Sequence, residues 1–314
     1  MKKYIKKKIL SFLDKKGFQR KPVWEEPQVV LYDQMKSVFT PQNDKIISII
    51  FSKDRAMQLD GFLASYFENV KNYSEIKVLF HVSNEAHKKS YSDLQKIYTD
   101  FPVEFIQETN FRNNLIDTIE KSSEDRLIFY VDDMLFSQEI DYDWIKTVDP
   151  LIDIVCLSRG KDLNYSTVLA KKIEVPSFSK ISENLYKFKW DEIKEFSDWT
   201  YPIGVSGYMF SRLEILEMIK STNFKAPNSL EHNLQAFLPY FTKRGGVSLE
   251  NVATPCVHTN LTQTEGYNNI LGHYSLEELL DLWNTNKRIN HSEFIGLKVS
   301  EAEVKKYNFI NRAE

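Results

Sequence analysis

Between residues 46 and 131 four short apolar runs alternate with three stretches of helical periodicity, and this alternation restricts the fold more than any other feature of the chain. IISIIF (46–51) is rich in β-branched residues and reads as a buried strand. After it, Met57, Leu59, Phe62, Leu63, Tyr66 and Phe67 mark one broad apolar helix face, with Asn69 and Asn72 where that helix can end. The pattern repeats: KVLFHV (77–82) is a strand, 85–98 a helix, VEFI (103–106) a strand, 111–121 a helix, and RLIFYV (126–131) a fourth strand. Strands joined through helices imply right-handed βαβ units and ligands gathered at the carboxyl ends of the strands. The expectation is an α/β fold, Rossmann-like, with a mainly parallel central sheet flanked by helices.

From residue 154 the pattern loosens into short pieces, IVCL (154–157), a lysine-rich region and YPIGVSGYMF (201–210), followed by helices at 213–220 and 231–240. From 275 to the end the chain reads as helical and highly charged. No internal repeat, low-complexity tract or Gly/Ser linker separates independent domains. The expected organisation is a basic amphipathic extension over 1–40, one main domain over 41–265 and a helical extension over 266–314.

The chain's 314 residues, 42% hydrophobic and 27% charged, suit an ordinary globular core, and a net charge of −3 gives no reason to expect nucleic acid as partner. Cys156 and Cys256 fit no metal-type spacing and suit a reducing compartment. With no apolar run long enough to cross a bilayer and no secretion signal, the expected location is the cytoplasm. Residues 1–21 carry nine Lys or Arg against one acid, Asp14, with Ile5, Ile9, Phe12 and Leu13 at helical spacing. Such a basic amphipathic helix (2–21) either packs its apolar stripe on the domain or lies on an anionic membrane surface, the inner face of the plasma membrane.

The strongest chemical signal is Asp132-Asp133, two adjacent acids that end an apolar strand. Carboxylates held together repel, and a hard divalent cation with oxygen ligands, Mn²⁺ or Mg²⁺, stabilises them and can also neutralise a diphosphate. Alternation along an extended segment predicts that the two side chains point differently. The alternative is a turn in which both acids bond backbone amides.

FSKDRAMQLDGFL after the first strand, YVDDM at the fourth and PNSLEHNL downstream together resemble the glycosyltransferase-A fold, over roughly residues 45–260, and are similar to bacterial surface-polysaccharide glycosyltransferases. In that family a strand-borne Asp-x-Asp or related pair binds the metal of a nucleotide sugar. Val-Asp-Asp departs from that pattern, and the resemblance implies Asp133 as metal ligand and Asp132 on the donor's sugar or ribose. The implied function is metal-dependent transfer of a sugar from a nucleoside-diphosphate sugar to a glycan or lipid-linked acceptor.

Ser52, Asp54 and Arg55 occupy the turn after the first strand, where amides at a helix start and a nearby cation favour an anionic donor, and Asp54 is equally suited to cap the helix. Arg112 is a further donor ligand by resemblance or a surface ion pair. Glu231 stands at a helix start where inverting members of the fold place a general base, with Ser229 as the cap if its role is structural. His258 is a second metal or diphosphate ligand by resemblance, or a hydrogen-bonded structural residue. Trp199, Tyr201 and Gly207 are candidates for the acceptor face, since aromatic planes pack on sugar rings. Arg159 is a donor candidate by position alone. Three rivals stand beside the inverting enzyme: a retaining transferase, a sugar nucleotidyltransferase, whose usual glycine-rich phosphate loop is replaced here by FSKDRA, and a noncatalytic membrane-associated scaffold.

Overall fold

The computed structural model describes residues 36–257, 260, 262, 273–301, 304 and 306–312, and the structural statements below concern these. The basic stretch 2–21 lies outside them. Two compact units divide at Val38, and Phe39–Glu314 carries all that follows.

The first half follows the alternation in the sequence: β1 (Ile46–Lys53), α1 (Ala56–Asn69), β2 (Ile76–His81), α2 (Glu85–Ile97), β3 (Val103–Gln107), α3 (Phe111–Lys121) and β4 (Arg126–Val131). Local chemistry starts the helices. The Asn84 side chain accepts from His87 N and that of Asn110 from Asn113 N, each at 3.0 Å, satisfying amides that α2 and α3 leave without intrahelical partners.

The second half supplies β5 (Asp153–Gly160), β6 (Ser179–Lys180), β7 (Tyr186–Lys189), β8 (Tyr208–Ser211), α4 (Arg212–Ser221), α5 (Pro227–Leu234) and β9 (Gly245–Leu249). The sheet runs β6-β7-β9-β5-β8-β4-β1-β2-β3. β1 to β4 are mutually parallel, and only β7 and β8 run against the rest. This is the expected α/β architecture, with a mostly parallel sheet between helices. β8 stands between β4 and β5, and Tyr208 is in register with Phe129. The apolar piece 201–210 is strand only from Tyr208, because Gly207 turns the chain at φ +80° and its N–H donates to Phe129 O at 2.7 Å.

Side chains of β1 alternate between two cores. Ile46 and Ile50 join the layer of α1 and α2, while Ile47, Ile49 and Phe51 face α3, α4 and α5. Ser48 shares the first layer, where its hydroxyl pairs with Tyr142 at 2.9 Å and Tyr66 at 3.1 Å, and Tyr130 pairs with Tyr142 at 2.9 Å. These groups satisfy one another in a place water does not reach; each one orphaned costs about 1–3 kcal/mol.

Among the described residues the helical reading from 275 to the end holds for α6 (Leu276–Asn284), whose Ser275 and Glu278 cap each other, and for one short 3-10 turn at His291–Phe294. β10 (Lys287–Ile289) and β11 (Phe309–Asn311) then form an antiparallel pair. This segment covers the outer side of α1, and so Asp60, on no apolar face, is fully buried and held by Arg288 at 2.8 and 3.0 Å. The C-terminal residues thus pack on the α/β unit rather than extending from it.

Candidate active site

At the carboxyl ends of β1, β2 and β4 a cavity of about 510 Å³ opens toward α5. Its lining includes Ser52, Arg55, Asp132 and Asp133 on one side and Glu231 on the other, together with Asn260 and Thr262.

β4 ends at Val131, and the chain turns at once, with Met134 N donating to Val131 O at 3.2 Å. The turn overrides strand alternation. Asp132 and Asp133 therefore converge instead of pointing apart: Arg55 Nη1 lies 3.0 Å from Asp132 Oδ1 and 3.0 Å from Asp133 Oδ2. Ser52 Oγ donates to Asp132 Oδ2 at 2.7 Å and is itself paired with the Tyr91 hydroxyl. Burial acts most strongly on Asp132 and pushes it above the ordinary carboxylate range; Arg55 pulls it back and the charge of Asp133 adds to the rise. Asp133 Oδ1 is buried and has no hydrogen-bond partner among the described residues.

Asp54 does not cap α1. It sits at φ +55°, outside the helix, and its Oδ1 accepts from Ser83 N at 2.8 Å, tying the loop after β1 to the loop after β2. Arg55 occupies the cap position, with no side-chain bond to the helix. A left-handed non-glycine residue beside the site is strain held by its surroundings.

Glu231 lies on the second turn of α5. Ser229 is not the cap; its Oγ accepts from Ala226 N at 3.1 Å and Lys225 N at 3.0 Å at the helix entry. Glu231 Oε1 accepts from Val205 N at 3.3 Å. Enclosure raises its carboxyl to about 7, against the pull of that amide and of Arg159's charge. Gly204 makes room here, since a Cβ at that position would stand 2.6 Å from Tyr208 Cε2 and 3.0 Å from Glu231 Oε1.

Several expected residues lie elsewhere. Arg112 is off the cavity: its Nε donates to Thr222 O at 3.0 Å and its Nη2 to Lys220 O at 2.8 Å, closing the carboxyl end of α4. Trp199 is fully buried, its Nε1 donating to Leu163 O at 3.0 Å, and offers no face to an acceptor. Gly207 is buried in the β8 turn. Arg159 is a buried layer behind Glu231, donating to Asp198 O at 3.1 Å and lying 5.9 Å from the Tyr208 ring. Tyr201 is half-buried; enclosure, then the charge of Glu231, raises its hydroxyl pKa. His258 lies outside the described residues. On its two sides, Val257 N donates to Asp133 O at 2.6 Å, and Asn260 Oδ1 accepts from Arg55 Nε at 3.0 Å.

The cavity also gathers residues to which the sequence alone assigned no individual role. Lys53 ends β1, His81 ends β2 and Glu108 follows β3, with His81 Nδ1 3.5 Å from Glu108 Oε1. Burial raises Glu108 to about 7, with Lys53 opposing. The rule that ligands collect at strand ends, applied to every strand, points to all three. Phe111, Val205 and Ser206 and the segment 225–228 line the wall near α5, Pro227 and Asn228 being the start of PNSLEHNL and Val205 and Ser206 part of the turn before β8 that holds the acceptor candidate Gly207.

No family model matches the chain. The chain is similar in sequence to the bifunctional glycosyltransferase pgtA of Dictyostelium discoideum, 28% identical over 222 residues that cover 65% of this chain and 26% of that protein. It thus spans about a quarter of the length of this curated relative. The similarity agrees with the family resemblance read from the sequence. Among solved structures, a nucleotidyl transferase from Methanothermobacter thermautotroptrophicus matches with a TM-score of 0.37 and 7% identity, over 67% of this chain and 89% of that one. S. aureus TarS 1-349 in complex with UDP matches with a TM-score of 0.41 and 12% identity, over 67% and 59%. The mannosyltransferase PcManGT from Pyrobaculum calidifontis, in complex with GDP-Man and Mn²⁺, matches with a TM-score of 0.28 and 13% identity, over 44% and 48%. These structural likenesses are loose, and the fold rests on the strand order given above. Among the described residues no helix is long and apolar enough to cross a membrane.

Proposed function

We propose that the chain is a nucleotide-sugar glycosyltransferase that moves a sugar from a nucleoside diphosphate to a hydroxyl of a glycan or lipid-linked acceptor, with inversion, in bacterial surface polysaccharide synthesis. The observation that carries this reading is one cavity with an acid pair at one wall and an enclosed carboxyl of raised pKa at the other. A donor and an acceptor can meet between them.

A divalent cation suits the acid wall. The donors are hard oxygens, and Asp133 Oδ1 is a buried acceptor with nothing bonded to it among the described residues. No group of three or more His, Cys, Asp or Glu converges among those residues, so Asp133, with Asp132 beside it, would be the protein's share and donor phosphates and water the remainder, a pattern common for Mg²⁺. Mn²⁺ or Mg²⁺ bound there would supply positive charge for the departing diphosphate. Ser52 fixes the orientation of Asp132 for the donor's sugar or ribose. At the opposite wall Glu231, poised near neutral pH, takes the proton of the acceptor hydroxyl; that oxygen forms the new bond to the anomeric carbon as the bond to diphosphate breaks. On the same reading the basic stretch 2–21 holds the enzyme on the inner face of the plasma membrane.

The test is product analysis with UDP-, GDP-, CDP- and dTDP-sugars, with and without Mn²⁺. Release of nucleoside diphosphate that requires Mn²⁺ is the expected result. Formation of a nucleotide sugar and pyrophosphate from a nucleoside triphosphate and a sugar 1-phosphate, supplied in parallel, would identify a nucleotidyltransferase, and no turnover of any of these substrates would leave a scaffold. Unaltered transfer by Glu231→Gln would refute the base and favour retention.

A further inference from the structure

The acid pair already has a cation. One nitrogen of Arg55 takes an oxygen from each carboxylate at 3.0 Å, with the three side chains only 11%, 4% and 10% exposed. Asn260 holds the remainder of the guanidinium: Nε donates to its Oδ1 at 3.0 Å and Nη2 to its backbone oxygen. Gln58 Nε2 donates to the same Oδ1 at 3.1 Å. Since Ser52 takes the outer oxygen of Asp132, three of the pair's four oxygens are engaged, and among the described residues nothing bonds Asp133 Oδ1.

Resting on the metal reading above, we propose that Arg55 is an exchangeable counter-cation: it neutralises Asp132 and Asp133 while the donor is absent, and passes to the diphosphate when a divalent ion takes the carboxylates. A divalent ion held by this acid pair would crowd its charge against the guanidinium that already bonds both carboxylates at 3.0 Å. An ion arriving alone must therefore either sit against that cation in a nearly dry site or displace it and leave it unpaired, and both are unfavourable. An ion arriving with a diphosphate brings the displaced guanidinium a new partner, and its planar fork suits phosphate oxygens. Arg55 itself lines the cavity, so its guanidinium is already beside the space that a diphosphate would enter. The consequence is strong coupling: Mn²⁺ alone binds poorly, and Mn²⁺ and nucleoside diphosphate bind together.

Calorimetric titration with Mn²⁺, alone and with saturating UDP or GDP, tests this on the parent chain, Arg55→Gln, Arg55→Lys and Asp133→Asn, with a thermal melt of each to confirm folding. In the parent, diphosphate should tighten Mn²⁺ by roughly 5- to 150-fold, the usual range for coupled sites. Arg55→Gln should bind Mn²⁺ alone about tenfold tighter than the parent and lose most of the coupling. Arg55→Lys, a point charge that cannot reproduce the fork, should shift the same way by less and serves if the glutamine variant does not fold. Equal or weaker binding of Mn²⁺ alone by a folded Arg55 variant, with Asp133→Asn abolishing it, overturns the exchange and leaves the metal reading intact. Absence of Mn²⁺ binding from the parent, even with diphosphate, overturns the metal reading itself.

Discussion

Replacing Glu231 with Gln should make the protein more stable as it makes it less active. Enclosure raises the Glu231 carboxyl from an ordinary 4.5 to about 7. An acid that is weaker in the folded than in the unfolded chain costs nothing below about pH 4.5, where both forms are neutral. Between about pH 4.5 and 7 the unfolded chain ionises first and stability falls; above about pH 7 both are ionised and the loss levels off. At about 1.4 kcal/mol per pKa unit the full loss is about 3–4 kcal/mol at most, trimmed by the solvent that reaches the cavity edge. Gln retains the shape and an oxygen for Val205 N–H but never ionises. Glu231→Gln should therefore exceed the parent by roughly 2–3 kcal/mol at about pH 8 and by under about 1 kcal/mol at about pH 5. Urea denaturation at both pH values, with unchanged m, measures the difference. Transfer should fall by roughly 10²- to 10⁴-fold. A gain equal at the two pH values, or a loss at the higher one, would show that the carboxyl does not titrate in an enclosed setting.

Asp133→Asn should abolish the rise in melting temperature that Mn²⁺ with a nucleoside diphosphate confers, while the melt without ligand stays near that of the parent; a retained rise assigns the ion elsewhere. Gly204→Ala pushes a methyl against Tyr208 and Glu231, so it should cost about 1–3 kcal/mol in chemical denaturation and lower transfer, with far-ultraviolet circular dichroism unchanged. Full activity in that variant would mean that Glu231 tolerates displacement. Deleting residues 2–21 should abolish binding to anionic vesicles and leave donor turnover intact, and vesicle co-sedimentation that survives the deletion refutes the membrane role.

The parallel half of the fold was legible because each element there is governed by its neighbours in sequence. IISIIF and RLIFYV are apolar on both faces, as strands covered on two sides must be, and their ends deliver Ser52 and the acid pair. What distance in sequence supplies was not legible. β8 is only four residues, and its place between β4 and β5 depends on pairing with Phe129 and Cys156. Arg112 and Trp199 carry the chemistry of ligands but meet backbone carbonyls of segments far from them in the chain. The convergence of Asp132 and Asp133 escaped the alternation rule because the strand stops one residue before them. Arg55 was readable as a cation near the donor, but its grip on both acids and on Asn260 was not.

The late arrival of β8 also bears on how the chain is made. About 80 residues separate the end of β4 from the end of β8, roughly 4–16 s of translation. During that interval Leu127, Ile128 and Phe129 present a bare, greasy rim with unpaired amides, the kind of surface that recruits a second nascent chain. The acid pair therefore sits at the end of a ribbon that lacks its outer neighbour throughout that interval, and a ribosome stalled before Ser211 releases a sticky half-sheet.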